Sequence, residues 1–195
     1  MKKILTLCIL LNVLLTLNLY AQKFWECKDG NIRFFSQTPV EDIEANNVAC
    51  QAVLKTETGD IAFQVPMKSF KFKNSLMEEH FHENYLETDK KVERAGKAEY
   101  PNRSSNFQGK MTPNVDLNKP GNYQVKAKGK LRIHSVDVER EFTGTLEVKA
   151  DRTARLKSTM EVPLVDHKIE RPQLMLVKIA EKIRVDVNFL FRPKP

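Results

Sequence analysis

Residues 123–133 read YQVKAKGKLRI and decide the fold class. Apolar or small residues alternate in this stretch with Gln, Lys and Arg, one for one. Because successive side chains of a β-strand point to opposite faces, the predicted strand has one apolar face and one cationic, solvated face. Such strands are typical of antiparallel sheet, since a parallel sheet covered by helices shows continuous apolar runs instead.

The same alternation recurs along the chain and predicts further strands. Three more long strands are expected at residues 136–148, 154–162 and 183–191, and shorter ones at residues 24–28, 32–37, 49–56 and 61–72. The apolar parity changes within the last of these at Pro66, which predicts a bulge or corner there. Two tight turns are predicted, at residues 28–31 and 58–60.

Three segments lack the strand pattern. Residues 75–86 and 173–182 have apolar residues at helical spacing, and each predicts a short helix. Residues 90–105 are polar, charged and interrupted by Gly96 and Pro101, so we expect an exposed, mobile loop.

About eight amphipathic strands with two short helices predict an all-β protein, a single closed antiparallel β-barrel over residues 22–195. A two-layer sandwich is the alternative. Small residues such as Ala127, Gly144 and Ser158 share the parity of their bulky neighbours. They either leave space for one ligand or interlock to fill the interior, and the alternation does not decide between these.

If the interior is hollow, fifteen residues are expected to line it. These are Phe63, Val65, Phe70, Phe72, Phe81, Tyr123, Val125, Ala127, Gly129, Leu131, Leu146, Leu156, Met160, Val187 and Phe189. A chain-like apolar ligand would gain about 0.8 kcal/mol for each methylene that it buries there.

The N-terminal residues 1–21 predict a signal peptide: Lys2 and Lys3 precede an apolar run that ends near Ala21. An uncleaved membrane anchor is the alternative, because the run is at the short limit for a span. Cleavage would place the protein in the periplasm or outside the cell. In such an oxidising compartment Cys27 and Cys50 are expected to form one disulfide, the alternative being two separate buried thiols.

Several stretches resemble the YceI-like family of exported bacterial proteins. The most specific is LMEEHFHENYLETDK at residues 76–90, and FSQTPVEDIEA at residues 35–45 precedes it. Further similarities are TGDIAF at 58–63, PMKSFKF at 66–72, GKLRIH at 129–134 and DHKI at 166–169. The resemblance implies a lipocalin-like barrel with an elongated apolar interior, and it brings no catalytic residues. Some members hold polyisoprenoid lipids such as quinones, often as dimers.

The chain departs from the family pattern at an insertion, residues 91–99. Ser135 also replaces the Gly that the family has after His134. These differences affect the expected fold little. They leave open the shape of the barrel mouth, a homodimer contact and the identity of the ligand.

Other kinds of site are weaker. On a helix His80 and His82 point apart, so no metal site is expected. His134, Ser135 and Asp137 have the residue types of a catalytic triad. They are not expected to form one, because the adjacent His134 and Ser135 would face opposite sides of a strand. The outward row of Lys126, Lys128, Lys130 and Arg132 lacks aromatic residues, so a solvated surface is favoured over nucleic-acid binding.

The sequence therefore predicts a non-enzymatic binding protein, without a cofactor, for an isoprenoid-type lipid or quinone. Membrane contact, if any, would be peripheral. A second hypothesis is an envelope protein that acts through protein–protein contacts, with residues 90–105 as the contact. A third, a periplasmic hydrolase, would depend on His134.

Overall fold

A computed structural model describes residues 24–39, 41–170 and 179–194. The predicted signal peptide at residues 1–21 lies outside the described residues, so it stays a prediction. Most of the second predicted helix, residues 173–178, also lies outside them. Of its remaining part, residues 179–181 are not helical and Lys182 begins a strand.

The described chain contains eleven strands and one α-helix. They are β1 (Phe24–Ser36), β2 (Ile43–Lys55), β3 (Asp60–Pro66), β4 (Lys71–Phe72), α1 (Ser75–His80), β5 (Val92–Arg94), β6 (Lys97–Glu99), β7 (Ser104–Thr112), β8 (Gly121–Ile133), β9 (Val136–Val148), β10 (Ala154–Pro163) and β11 (Lys182–Pro193). Short 3-10 turns occupy Met67–Ser69, Pro101–Arg103 and Leu164–His167.

Eight of these strands close into an antiparallel barrel. They follow one another in the order β1-β11-β10-β9-β8-β7-β3-β2, and β2 pairs back with β1. The short strand β4 adds to β2 outside this ring. The predicted all-β barrel is confirmed, and because the ring is closed the described strands do not form the alternative sandwich.

The strand that decided the fold class has the predicted two faces. Val125 and Leu131 of β8 are each 4% exposed, whereas the lysines between them are exposed. β8 pairs with β9 without interruption from Gly121 opposite Val148 to Ile133 opposite Val136. Acidic residues of β9 lie beside the cationic row: Lys126 approaches Glu141 at 3.4 Å, and Lys130 approaches Asp137 at 3.8 Å.

The predicted turn at residues 28–31 is wrong, because β1 continues through it. The pairing of β1 with β2 shifts register on both sides of Gly30, between Cys27 and Ile32. These residues form a β-bulge rather than a chain reversal. An Asp-Gly pair is compatible with a turn or with a bulge. In both structures glycine tolerates backbone conformations and close approaches of other atoms that a side chain would prevent.

The prediction of a mobile loop at residues 90–105 is also wrong in part. The segment is largely exposed, but it contains the hairpin β5–β6 and the first two residues of β7. Ala95 and Gly96 have φ of +50° and +74° at the hairpin turn. Two successive residues with positive φ make the two-residue turn that joins tightly paired strands, so the glycine forms the hairpin instead of interrupting a strand.

The change of apolar parity at Pro66 coincides with a corner, as predicted. β3 ends at Pro66, the turn Met67–Ser69 follows, and Phe72 of β4 then lies opposite Ala45 of β2. The fully buried Asn47 of β2 holds the corner, because its Nδ2 donates to the Pro66 carbonyl at 2.7 Å.

The first predicted helix is present. Asn74 is the N-cap of α1, and its Oδ1 accepts a hydrogen bond from the backbone N–H of Leu76 at 2.9 Å. The helix continues as the π-helical turn Phe81–Tyr85. Within the described ranges, no helix is long and apolar enough to cross a membrane.

Cys27 and Cys50 do not form the predicted disulfide in this structure. Both are free, buried thiols on adjacent strands. Cys27 lies opposite Ala52 and Cys50 lies opposite Gly30, so the β1 bulge separates the two pairing positions.

Candidate ligand-binding cavity

The end of the barrel next to α1 contains a cavity of about 160 Å³, which we call the outer chamber. Its walls include residues of β1, β2, β3, β4, β7, β8, β10 and β11. They comprise Ile32, Phe34, Ile43, Phe63, Val65, Met67, Phe70, Phe72, Met77, His80, Phe81, Tyr85, Leu86, Ser105, Leu131, Ile133, Met160, Val162, Leu164, Ile169, Ile179, Ile183, Val185 and Val187.

Four aromatic rings form one wall of the outer chamber. Phe81 stacks on Phe34 with ring centroids 5.4 Å apart and also contacts Phe70 and Phe72. The corner after Pro66 brings Phe70 and Phe72 to this side, and the π-helical turn brings Phe81. Because α1 follows β4 directly, the same segment supplies both the wall and the cover of the chamber.

Polar groups are scarce in the outer chamber. Only His80, Ser105 and Tyr85 among its lining residues carry a side-chain nitrogen or oxygen, and none carries a carboxylate, ammonium or guanidinium. The Ser105 hydroxyl already donates to Sδ of Met67 at 3.1 Å. Since an uncompensated charge would be costly in such surroundings, the chamber suits a neutral, apolar ligand.

His80 and Met77 are half-buried residues of α1 that line the outer chamber. At this side the chamber therefore borders the protein surface.

A second cavity, of about 30 Å³, lies deeper in the barrel; we call it the inner chamber. It is lined by Ile61, Phe63, Phe107, Met111, Val125, Ala127, Phe142, Thr143, Gly144, Leu156, Ser158, Met160, Val187 and Phe189. Beyond it the barrel is filled: Leu146, Ala154 and Phe191 are each 0% exposed.

The structure brings together most of the fifteen residues predicted to line a hollow interior. Val65, Phe70, Phe72, Phe81 and Leu131 line the outer chamber; Val125, Ala127, Leu156 and Phe189 line the inner one; Phe63, Met160 and Val187 line both. That they contact a ligand remains a prediction.

Three predicted residues lie outside both chambers. Leu146 is fully buried below the inner chamber, and the hydroxyl of Tyr123 donates to the Lys119 carbonyl at 3.0 Å. Gly129 lies opposite Gly109, where a Cβ on Gly129 would be 2.2 Å from the Gln108 carbonyl oxygen. At that position the inward parity reflects two backbones in close contact rather than a wall of a cavity.

Sequence reasoning missed several lining residues for which a pattern existed. Ile183 and Val185 share the inward parity of Val187, and Ile32 and Phe34 alternate in the same way on β1. Ile169 and Ile179 could not be found by pattern, because they belong to irregular segments that fold over the end of the barrel.

A polar cluster surrounds the β8–β9 turn at the same end of the barrel. The two ring nitrogens of His134 lie 3.0 Å from Oε2 of Glu87 and 3.3 Å from the His167 carbonyl. Ser135 donates to Asn102 Oδ1 at 2.6 Å, so it is not beside the imidazole as a nucleophile would be. Burial lowers the pKa of the fully buried His167, which favours its neutral form.

His80 and His82 do not form a metal site with their neighbours. Among residues 24–39, 41–170 and 179–194, no group of three or more His, Cys, Asp or Glu side chains could hold a metal ion. His80 lines the outer chamber, whereas the His82 ring packs edge-on against Phe81 at 5.3 Å.

A closed antiparallel barrel with an apolar hollow defines a lipocalin-like fold with room for a ligand. The family model of the YceI-like domain matches residues 29–191, and the chain belongs to this family. The family that the motifs at residues 35–45 and 76–90 predict is therefore confirmed. No curated protein matches the chain.

Solved structures share the fold at low sequence identity. A polyisoprenoid binding domain from Saccharophagus degradans, implicated in plant cell wall breakdown, superposes with a TM-score of 0.69 at 11% identity and covers 88% of this chain and 99% of that one. Burkholderia cenocepacia BcnA has a TM-score of 0.64 at 9% identity, covering 83% and 95%. The Campylobacter jejuni YCEI protein has a TM-score of 0.56 at 11% identity, covering 82% and 90%.

Proposed function

We propose that this protein is an exported carrier or sequestering protein that holds one isoprenoid-type lipid, such as a quinone, inside the barrel. The observation that carries the proposal is the outer chamber: a hollow of about 160 Å³ whose lining has no ionised carboxylate, ammonium or guanidinium. The side chains that line an empty apolar cavity lack van der Waals partners on one side. An apolar ligand that fills the cavity supplies these contacts.

The shape of the hollow supports a chain-like ligand. The outer and inner chambers follow the barrel axis one after the other and share lining residues. The S. degradans domain, which has the same fold, is described as polyisoprenoid binding, and this supports the same ligand class here. A branched isoprenoid chain presents methyl groups at regular intervals to such apolar walls.

A role in binding rather than catalysis is part of the proposal. The imidazole of His134 contacts Glu87 and a backbone carbonyl, and Ser135 contacts Asn102, so no nucleophile and base lie together in this cluster. Export agrees with the basic, then apolar residues 1–21, which read as a signal peptide.

The proposal is tested by blocking the outer chamber from within. Leu131 is 4% exposed and faces the chamber, whereas the adjacent Lys130 faces solvent. Leu131→Trp would fill the space that the ligand needs, and Lys130→Trp places the same ring outside the barrel. Each delipidated protein is titrated with geranylgeraniol by isothermal calorimetry.

We expect wild type and K130W to bind with the same affinity and with a negative heat-capacity change, the sign of apolar burial. L131W should retain the far-UV circular dichroism of a folded barrel and bind at least about tenfold more weakly, a difference of about 1.4 kcal/mol. A folded L131W protein that binds geranylgeraniol as tightly as wild type would overturn the proposal.

A further inference from the structure

The outer and inner chambers meet at a collar that consists of Phe63, Met160 and Val187. These three residues line both cavities. They come from β3, β10 and β11, and Val187 lies directly opposite Ser158, one inward position from Met160. A ligand chain that extends from the outer chamber into the inner one would therefore pass beside these three side chains.

Neighbouring aromatic rings hold Phe63 in the collar. Phe63 pairs with Phe107 across β3 and β7, and their rings stack with centroids 5.1 Å apart and planes 21° apart. Phe189 contacts Phe63 edge-on at 5.5 Å. Met160 is partly buried and packs against the core, but its unbranched thioether changes rotamer easily. One side of the collar is thus fixed and the other is adaptable.

The inner chamber has a small, apolar interior. Ala127, Gly144 and Ser158 line it, and the Ser158 hydroxyl is already used in a 2.7 Å hydrogen bond to the Thr143 carbonyl. A Cβ on Gly144 would lie 2.5 Å from the Lys157 carbonyl oxygen. Because this hydroxyl is satisfied, the chamber fits the end of a hydrocarbon chain better than a polar head group.

Strand β11 gives the relative lengths of the chambers. Ile183, Val185 and Val187 face the outer chamber, and Val187 and Phe189 face the inner one. At roughly 3.3 Å per residue, these segments run about 13 Å and about 7 Å along the strand. The inner chamber therefore adds room for a short terminal segment, on the scale of one isoprene unit.

We propose that the inner chamber is a distinct subsite for the terminal isoprene unit of the ligand, and that the collar sets the chain length that the protein accepts. This inference rests on the proposed function. It adds that the preference between isoprenoids of different length arises at Phe63 and Met160, rather than at the surface near α1.

The test compares farnesol with geranylgeraniol, which is one isoprene unit longer, on the delipidated full chain. The measured quantity is the ratio of the two affinities. Ala127→Leu fills the inner chamber, Phe63→Leu widens the collar, and Lys128→Leu is the matched control, because Lys128 lies next to Ala127 on the exposed face of β8. Circular dichroism and thermal unfolding verify that each variant is folded.

We expect the preference of wild type for geranylgeraniol over farnesol to fall about tenfold in A127L, the effect of excluding roughly two methylene groups from an apolar site. The same preference should rise in F63L and stay unchanged in K128L. If A127L does not fold, the F63L ratio alone decides.

Two results would overturn the inference, and they differ in what else they contradict. Binding of both alcohols with one ratio in wild type, A127L and F63L would remove the subsite and leave the carrier function intact. Failure of wild type to bind either alcohol would contradict the carrier function and this inference together.

Discussion

The ring of Phe189 occupies the space in which a side chain on Gly30 would begin. A Cβ on Gly30 would lie 2.5 Å from Cδ1 and 2.6 Å from Cε1 of that ring. Phe189 is fully buried and contacts both Phe63 and Phe191. The bulge in β1 and the wall of the inner chamber therefore depend on each other.

Gly30→Ala should destabilise the barrel, because the added methyl group forces Phe189 from its position in a packed interior. Overpacking of this kind costs about 1–3 kcal/mol of the free energy of unfolding. Urea denaturation measures the change. Asp29→Ala, at the exposed preceding position, is the control and should change stability by less than about 0.5 kcal/mol. Equal stability of G30A and wild type would contradict the contact.

Local pattern was enough to predict the long strands and to favour a barrel over a sandwich. The alternation in β8, β9 and β10 depends only on the two-residue period of a strand, which is a property of the sequence itself. The same rule identified Phe63, Met160 and Val187 as inward residues, and the corner at Pro66 followed from the change of parity.

Long-range packing decided what pattern could not. Whether residues 28–31 turn or bulge depends on Phe189, which lies more than 150 positions away along the chain. Whether inward residues leave a hollow depends on how rings such as Phe63 and Phe107 stack across strands. Parity assigns a residue to a face, but it carries no information on the distance to the opposite wall.

The buried cysteines Cys27 and Cys50 should be poorly reactive in the folded protein. Burial, with the neighbouring Cys27 as a second cause, raises the pKa of the Cys50 thiol to about 12, and burial also raises the pKa of Cys27. Only the thiolate reacts readily, so both thiols should resist iodoacetamide in buffer and react in urea. Two unreactive sulfurs in urea without reductant would instead show that Cys27 and Cys50 form a disulfide.

The raised pKa of Cys50 also predicts a loss of stability at high pH. As pH rises from the ordinary thiol value of 9.0 toward about 12, the unfolded chain loses a proton that the folded chain keeps. Deprotonation thus favours unfolding, by up to about 1.4 kcal/mol per pH unit. Cys50→Ala should remove this part of the slope in a denaturation series from about pH 8 to about pH 11. An identical slope in C50A would contradict it.

His134→Ala should weaken the end of the barrel without removing any catalytic activity. The substitution deletes the contacts of the imidazole with Glu87 Oε2 at 3.0 Å and with the His167 carbonyl at 3.3 Å. Loss of such partly buried hydrogen bonds costs about 1–3 kcal/mol, measurable by thermal unfolding. Asp137→Ala, on the exposed face of β9, is the control. An esterase activity that disappears in H134A at unchanged stability would favour the hydrolase hypothesis.

Deletion of residues 91–99 tests whether the β5–β6 hairpin takes part in lipid binding. The deletion removes the exposed hairpin β5–β6, whose ion pairs Lys91–Glu93 and Arg94–Glu99 lie within the hairpin itself. None of these residues lines either chamber. Geranylgeraniol affinity should therefore equal that of wild type by calorimetry. A loss of lipid binding on deletion would place part of the lipid site in the hairpin.

The most direct test of the central claim is to identify what the barrel holds when it is made in a bacterial cell. The full chain and L131W are purified from the envelope without detergent, extracted with organic solvent and analysed by mass spectrometry. The account predicts an isoprenoid lipid, close to one molecule per chain, in wild type and its depletion in L131W. Repeated absence of any lipid from folded wild-type protein, or equal amounts in both proteins, would contradict it.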